Sequence, residues 1–334
     1  MDNIEDYTEA AQVAQFFQYK ALAEGYSYRM WDWYSAVFLW KASSPSPTFR
    51  GALYDTFLET NGGYWGWRDG FGRGSRTRIV LNQRDWTIHV INSLPLDINI
   101  ASCEWHAYSL QGKRLGGEIA NKTILVHGNS VHHIKHVTPF WVGGTRSSPL
   151  AQSYGVEEVL LYKLHLVLEP HHRGIETHTN SYFLTDPKRE DSPSRLSLLG
   201  VLRKFYTVNV DVTCHLRSRD SIECEVKNSS RDAAILSKLS LFYSQMIGPG
   251  ISREIRVLPT SFTSNYVTLL PGETHKVVLT APHTANFDFI CSNQGQASIE
   301  GKGDLAIKVD GWNVETNMQP VLCMSQKQTS LVIK

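Results

Sequence analysis

Cysteine, surplus charge and long apolar runs are all scarce in this chain, and each scarcity removes a class of protein. The five cysteines, Cys103, Cys214, Cys224, Cys291 and Cys323, are an odd number with no C-x-x-C pair. That spacing indicates neither a zinc ribbon nor a dense disulfide framework. One disulfide stays open, because Cys214 and Cys224 fall on two segments that read as the strands of a hairpin. Lys and Arg total 33 against 32 Asp and Glu, a formal charge of +1. Without a basic surplus the footprint of a nucleic-acid or anionic-membrane binder is missing. No window approaches the ~18 uninterrupted apolar residues of a membrane span. The opening Met1-Asp2-Asn3-Ile4-Glu5-Asp6 is acidic where a signal peptide is basic and then apolar.

What is present is an ordinary globular composition: 334 residues, 42% hydrophobic and 19% charged. Such a length suits two or three domains. Aromatics are plentiful, with 9 Trp and 14 Tyr, and five of the nine Trp fall between Trp31 and Trp67.

The first segment reads as a helix. Tyr7, Ala10, Ala11, Ala14, Phe17 and Ala21 recur at three- and four-residue spacing on one face, and Gly25 supplies a stop. Ala36-Val37-Phe38-Leu39-Trp40 is apolar without alternation, as in a strand buried on both faces of a parallel sheet. Phe49 to Leu58 looks helical again. Helix, buried strand, loop and helix make a slice of α/β architecture, far short of the ~250 residues that close a barrel.

After Asn61-Gly62-Gly63 the period changes to two. Ile79 and Leu81, then Trp86, Ile88 and Val90, then Cys103, Trp105 and Ala107 alternate with polar neighbours. Leu160, Tyr162, Leu164, Leu166 and Leu168 do the same, with Lys163 and His165 on the other side. Short alternating strands broken by polar turns indicate antiparallel sandwiches. Asp186 to Ser197 reads as a linker. A second β block follows, with Val208–Leu216 and Ile222–Val226 as a hairpin and a turn at Pro271-Gly272 before Thr274–Leu279. The expected fold is mainly β.

Several features that look functional have plainer readings. His127, His132, His133 and His136 are close in sequence, yet His132 and His133 point to opposite faces of an extended strand, so no metal is expected. Gly70-x-Gly72-x-Gly74 lacks a preceding strand and a lysine, so it is not a phosphate loop. His171-His172-Arg173-Gly174 reads as a turn. Trp31, Trp65 and Trp67 suit a glycan platform or plain packing equally well. Asn121-Lys122-Thr123 and Asn228-Ser229-Ser230 fit the glycosylation pattern, which is common by chance. Glu5, Glu9 and Glu24 read as solvated helix charges.

One set of residues in order carries a resemblance. Ala11-Gln12-Val13, Gln18-Tyr19-Lys20-Ala21-Leu22 and Glu24-Gly25 lead to Val37-Phe38-Leu39-Trp40-Lys41. Pro45, Arg50-Gly51, Tyr54-Asp55, Gly63-Tyr64 and Gly66 follow. Farther on come Asn180-Ser181-Tyr182-Phe183-Leu184, Leu258-Pro259, Asn265-Tyr266, Leu269, Pro271-Gly272-Glu273 and Gly311-Trp312-Asn313. In this order the chain resembles the C-terminal portion of β-mannosidase-type members of glycoside hydrolase family 2. The likeness is nearest to plant-type mannosylglycoprotein endo-β-mannosidases, with exo-β-glucosaminidases next.

The resemblance implies residues 1–67 as the C-terminal remnant of a (β/α)8 TIM barrel, then immunoglobulin-like β-sandwiches at 68–190 and 191–334. It implies a retaining glycosidase of β-mannosidic linkages in N-glycan-type oligosaccharides, needing no cofactor and no metal. Such enzymes use a general acid/base Glu and a nucleophile Glu with carboxyl groups about 5–5.5 Å apart. Both precede the segment resembling the first helix, so no catalytic residue is carried onto this chain, and the chain alone is expected to be inactive. Its partners would be a glycan and a polypeptide bearing the rest of the barrel. Trp40 resembles the tryptophan that lines the sugar site at the last barrel strand; the other reading is a core aromatic closing that strand. Ser44-Pro45-Ser46 departs from the family's Asn-Pro-Trp run and removes a stacking surface. The rival from another class is a non-catalytic sandwich module that binds carbohydrate or another protein.

Overall fold

The computed structural model describes residues 4–47, 52–120, 123–137, 159–169, 177–185, 206–248, 251–281, 287 and 303–322. The chain divides into two units: Met1–Tyr54 with Thr60–Phe205, and Asp55–Glu59 with Tyr206–Lys334.

The first unit begins with α1 (Ile4–Tyr28), whose first turn carries Glu5 and Asp6 where the helix dipole favours negative charge. The helix buries Ala10, Val13, Phe16, Lys20, Ala23 and Ser27. That is not the expected face: Tyr7 and Ala21 are exposed. Two of the six buried residues are polar, so a count of apolar periodicity misplaces the stripe. Gly25 does not end the helix, because an exposed glycine costs only about 1 kcal/mol relative to alanine and three further residues continue it.

A second helix, α2 (Gly62–Gly70), is capped by Asn61, whose side chain accepts from the Tyr64 amide at 3.1 Å. Gly62, Gly66 and Gly70 recur every fourth residue along the side facing α1. A Cβ at Gly62 would lie 1.9 Å from the Gln12 carbonyl oxygen, and one at Gly66 2.0 Å from that of Phe16. At Gly70 it would meet Ala23 Cβ at 2.7 Å. The glycines let two helix backbones touch.

Eight strands follow among the described residues of this unit: β1 (Thr77–Asn82), β2 (Thr87–Asn92), β3 (Ile98–Tyr108), β4 (Arg114–Ala120), β5 (Ile124–Val126), β6 (Ser130–His136), β7 (Val159–Leu168) and β8 (Thr177–Thr185). They form two sheets, β1-β2-β6 and β4-β3-β7-β8 with β5 on β3. The alternating residues meet in one core: Ile79, Leu81, Ile88 and Val90 from the first sheet, Cys103, Ala107, Leu164 and Leu166 from the second. The strand β1 is buried on both faces, and Arg78 on its outer side is hydrogen bonded to Ser27 of α1.

The second unit holds β9 (Val210–Ser218), β10 (Ser221–Asn228), β11 (Ala234–Gly248), β12 (Ile251–Arg256), β13 (Ser261–Phe262), β14 (Val267–Leu269), β15 (Thr274–Thr280), β16 (Gly303–Gly311) and β17 (Val314–Leu322). Hydrogen bonding runs β12-β11-β16-β17-β9-β10-β15-β13, with β14 on β11. The join between β17 and β9 is parallel and two residue pairs long, and Val212, Cys224 and Val277 share a core with Leu241 and Ile307. The expected hairpin is β9–β10. Cys214 faces Cys224 across it, and the two form a disulfide. Cys291 and Cys323 lie outside the described residues, as do the expected linker and the His171–Gly174 turn.

Two expectations for the region between the helices are corrected. Residues 36–40 are not a buried strand: among the described residues no strand pairs with them, and only Leu39 is better than exposed. An apolar run becomes a buried strand only when neighbouring strands flank it. Residues 52–58 are not helical either; the Asp55 side chain accepts from the amides of Phe57 and Glu59, both at 2.8 Å, which closes a turn instead.

Candidate functional site

The expected sugar-site residue, Trp40, lies at the end of that unpaired run and is 89% exposed, with Phe38 at 91%. Trp33 is exposed too, with the Arg29 guanidinium 4.7 Å over its ring. This is an aromatic surface facing solvent rather than a closed core, so Trp40 does not close a buried strand in the described structure. Trp65, by contrast, is buried and donates to Thr60 Oγ1 at 3.0 Å. Tyr19 and Phe71 pack against Trp67. The five clustered tryptophans therefore divide into two that pack around α2 and three, Trp31, Trp33 and Trp40, that are exposed.

Behind this surface the structure assembles a buried polar network from residues 160 positions apart in sequence. Lys20 Nζ donates to Asp69 Oδ2 at 2.7 Å, Asn180 Oδ1 at 2.6 Å and the Ser181 carbonyl at 2.7 Å. These satisfy all three donors of an ammonium group. Its charge also sits 4.7 Å from the centre of the Tyr182 ring. Asp69 takes a second cation, Arg73, whose Nε is 2.6 Å away. Burial pushes the Asp69 carboxyl up, but Arg73 and Lys20 outweigh it and hold the group far below the usual carboxylate range.

Glu24 joins the same network and is not a solvated helix charge. Asn180 Nδ2 and the Tyr182 hydroxyl both donate to its Oε1 at 2.9 Å. Burial raises its pKa against the opposing pull of Lys20 and those two hydrogen bonds. The Leu81 amide donates to the Tyr182 hydroxyl at 3.0 Å, which ties β1 to β8. Burial also dominates His178: its Nδ1 accepts from the Ile79 amide, and its pKa falls to about 3.

Five of the sequence anchors that carry the resemblance have a scaffold role. Lys20 and Glu24 on α1 meet Asn180 and Tyr182 on β8. In the second unit Asn265 bonds both the amide and the carbonyl of Leu239, at 2.8 and 2.9 Å. Asn313 accepts from the Ile235 amide at 2.8 Å and donates to the Ala233 carbonyl at 2.9 Å. Each clamps a strand backbone that is buried away from water. Sequence reading located these residues without their role, because a clamp is visible only when its distant partner is. Asn228 has a similar fate: it is fully buried, donating to the carbonyls of Asp232 and Leu269, so it is no glycosylation acceptor. Asn121 lies outside the described residues.

Of the histidines, His127 Nδ1 lies 3.1 Å from Asp97 Oδ2, while His133 packs against His89 with ring centres 5.2 Å apart. They do not converge on one point.

Residues 193–288 match the family described as the exo-beta-D-glucosaminidase Ig-fold domain. The mannosylglycoprotein endo-beta-mannosidase of Lilium longiflorum is 22% identical over 84% of this chain and 33% of its own length. Among solved structures, the exo-chitosanase of Amycolatopsis orientalis shares the fold with a TM-score of 0.69 at 19% identity, covering 96% of this chain and 35% of that one. The beta-D-mannosidase of Dictyoglomus thermophilum does so with a TM-score of 0.62 at 14% identity, covering 94% and 31%. The chain thus resembles β-mannosidase-type glycoside hydrolases of family 2, and it spans about a third of the length of these relatives.

Proposed function

We propose that this chain is the non-catalytic C-terminal part, or subunit, of a retaining glycosidase that hydrolyses β-mannosidic linkages in N-glycan-type oligosaccharides. In this reading residues 1–67 are the last elements of its barrel, and the two sandwiches occupy 68–190 and 191–334. The carrying observation is the exposed run Ala36–Trp40, with which no strand pairs among the described residues. Backbone amides and carbonyls of an apolar extended segment are satisfied and covered when strands pair on either side. A partner polypeptide, joined to this chain or separate from it, would supply those strands together with the two glutamates. Trp40 would then offer its indole to the C–H face of a mannose ring, whose hydroxyls point to a polar rim.

The matching family profile favours one second reading, a β-glucosaminide in place of the β-mannoside. A purified sample of the chain alone should release nothing from 4-nitrophenyl β-mannoside, 4-nitrophenyl β-glucosaminide or a Manβ-GlcNAc oligosaccharide. Turnover of any of them would overturn the non-catalytic assignment. Protein recovered from its source with an antibody to the second sandwich should carry barrel peptides with two glutamates and hydrolyse one substrate. In that material Trp40→Ala should lower turnover roughly tenfold, the scale of one aromatic contact. Recovery of this chain without any barrel peptide would leave the rival, a carbohydrate-binding or interaction module.

A further inference from the structure

Beside the exposed run lies a groove of about 930 Å³, whose wall includes Val37 and Phe38 but not Trp40. Small-molecule sites span roughly 300–1,000 Å³, so it has room for one or two sugar rings. With Phe38, six aromatic rings line it: Tyr26, Tyr54, Tyr64, Trp67 and Phe71 are the other five. Three guanidinium groups, Arg68, Arg76 and Arg78, also open on it, and no carboxylate is among its lining residues.

Arg78 is the unusual member. It is only 3% exposed, and its guanidinium lies 5.5 Å from the centre of the Phe71 ring. Its hydrogen bonds go to neutral hydroxyls, Nη1 to Ser93 Oγ at 3.2 Å and Nη2 to Ser27 Oγ at 2.7 Å. Its Nε is buried with no hydrogen-bond partner among the described residues. The carboxylate that acts on it, Glu24, is already held by Asn180 and Tyr182. Burial draws the Arg78 pKa down to about 10, with Glu24 and Tyr26 opposing. A buried cation without a hydrogen-bonded counter-charge is costly, and an anion arriving beside Ser93 would relieve that cost. Arg76, exposed where the chain enters β1, adds a second cation that can steer an anion inward.

We propose that this groove binds an anionic sugar, a pyranose bearing a carboxylate or a phosphate. The oxyanion sits on Arg78 and Arg76 while the ring packs against the aromatic wall. The sugar ring rests on the glycosidase reading above; the anion rests on the arginines alone. A site of this kind, outside any catalytic pair, selects glycans that carry an acidic unit.

Titration calorimetry on the full chain at low salt tests this with glucuronate, mannose 6-phosphate, mannose and inorganic phosphate. Glucuronate or mannose 6-phosphate should bind and quench Trp67 fluorescence, and the two arms tell carboxylate from phosphate. Binding should weaken as salt screens the arginines, and mannose should not bind. Arg78→Gln should weaken binding by about tenfold or more, the scale of a lost charge-assisted hydrogen bond. If that variant fails to fold for want of the bond to Ser27, Arg76→Ala on the surface should still weaken binding several-fold. Equal binding of mannose and its phosphate, equal binding of free phosphate, no binding at all, or unchanged binding in both arginine variants would overturn the proposal. So would protection of the groove by a barrel polypeptide that excludes every small anion. None of these outcomes depends on whether the assembled protein turns over a β-mannoside.

Discussion

At the scale of single residues, the polar side chains under α1 matter more than the aromatic ones above it. His178 illustrates how. Its pKa is lowered by burial from 6.5 to about 3, with Asp69 pulling the other way and Arg73, Lys20 and Arg78 adding to the fall. A folded-state pKa below the unfolded value means that the unfolded chain takes up the proton first. The neutral ring therefore contributes stability that is fully present above about pH 6.5 and is lost as pH falls toward 3. Thermal melts at steps between pH 7 and 4 should show the first unit losing stability in acid. His178→Gln, which keeps an acceptor for the Ile79 amide but does not titrate, should flatten that slope. An unchanged slope would place the acid sensitivity elsewhere, with His89, held near 4 mainly by burial, the next group to replace. None of this was legible beforehand, because Lys20, Glu24 and His178 look like ordinary polar residues until Asp69, Asn180 and the Ile79 amide are brought beside them.

Elements were read better than contacts. Strands with alternating residues came out where the alternation placed them, since the alternating apolar face of each is set against a core, although β1 and β2 are buried on the other face too. The same logic failed for α1, whose buried stripe includes Lys20 and Ser27, and for Ala36–Trp40, with which no strand pairs among the described residues. Sequence pattern gives Gly70 as part of a run that is no phosphate loop and Gly63 and Gly66 as anchors of the resemblance, while the four-residue spacing of Gly62, Gly66 and Gly70 encodes helix contact. That contact makes a paired prediction. Gly66→Ala should destabilise the first unit by about 1–3 kcal/mol or more, because its new Cβ would press 2.0 Å from the Phe16 carbonyl oxygen and backbone cannot swing aside. Gly25→Ala has nothing within 4 Å of the new Cβ and should stabilise α1 by about 0.5–1 kcal/mol. Chemical denaturation of the two variants would settle the sign. A loss at both positions would mean that Gly25 is covered, and a gain at both that the helices stand farther apart than described.

At the scale of the whole molecule, the question is what a chain spanning about a third of the length of its relatives can do by itself. Each unit has its own buried core and side chains that clamp strand backbones. The apolar run bears on that question. Phe38 and Trp40 are about nine-tenths exposed, so neither buries the area that gives a core aromatic its stabilising effect. Phe38→Ser with Trp40→Ser should therefore leave the melting temperature of the isolated chain nearly unchanged while lowering its binding of a hydrophobic dye. Truncating a buried aromatic would cost about 3–5 kcal/mol and increase dye binding instead. The same double variant in a form that carries the barrel should lose assembly or turnover, since there the two side chains would face strands and sugar. If the isolated variant melts markedly lower, Trp40 is a core residue and the sugar-site assignment falls. If it is unaffected both alone and in the larger form, the exposed run serves neither barrel nor glycan, and the interaction module becomes the better account of the chain.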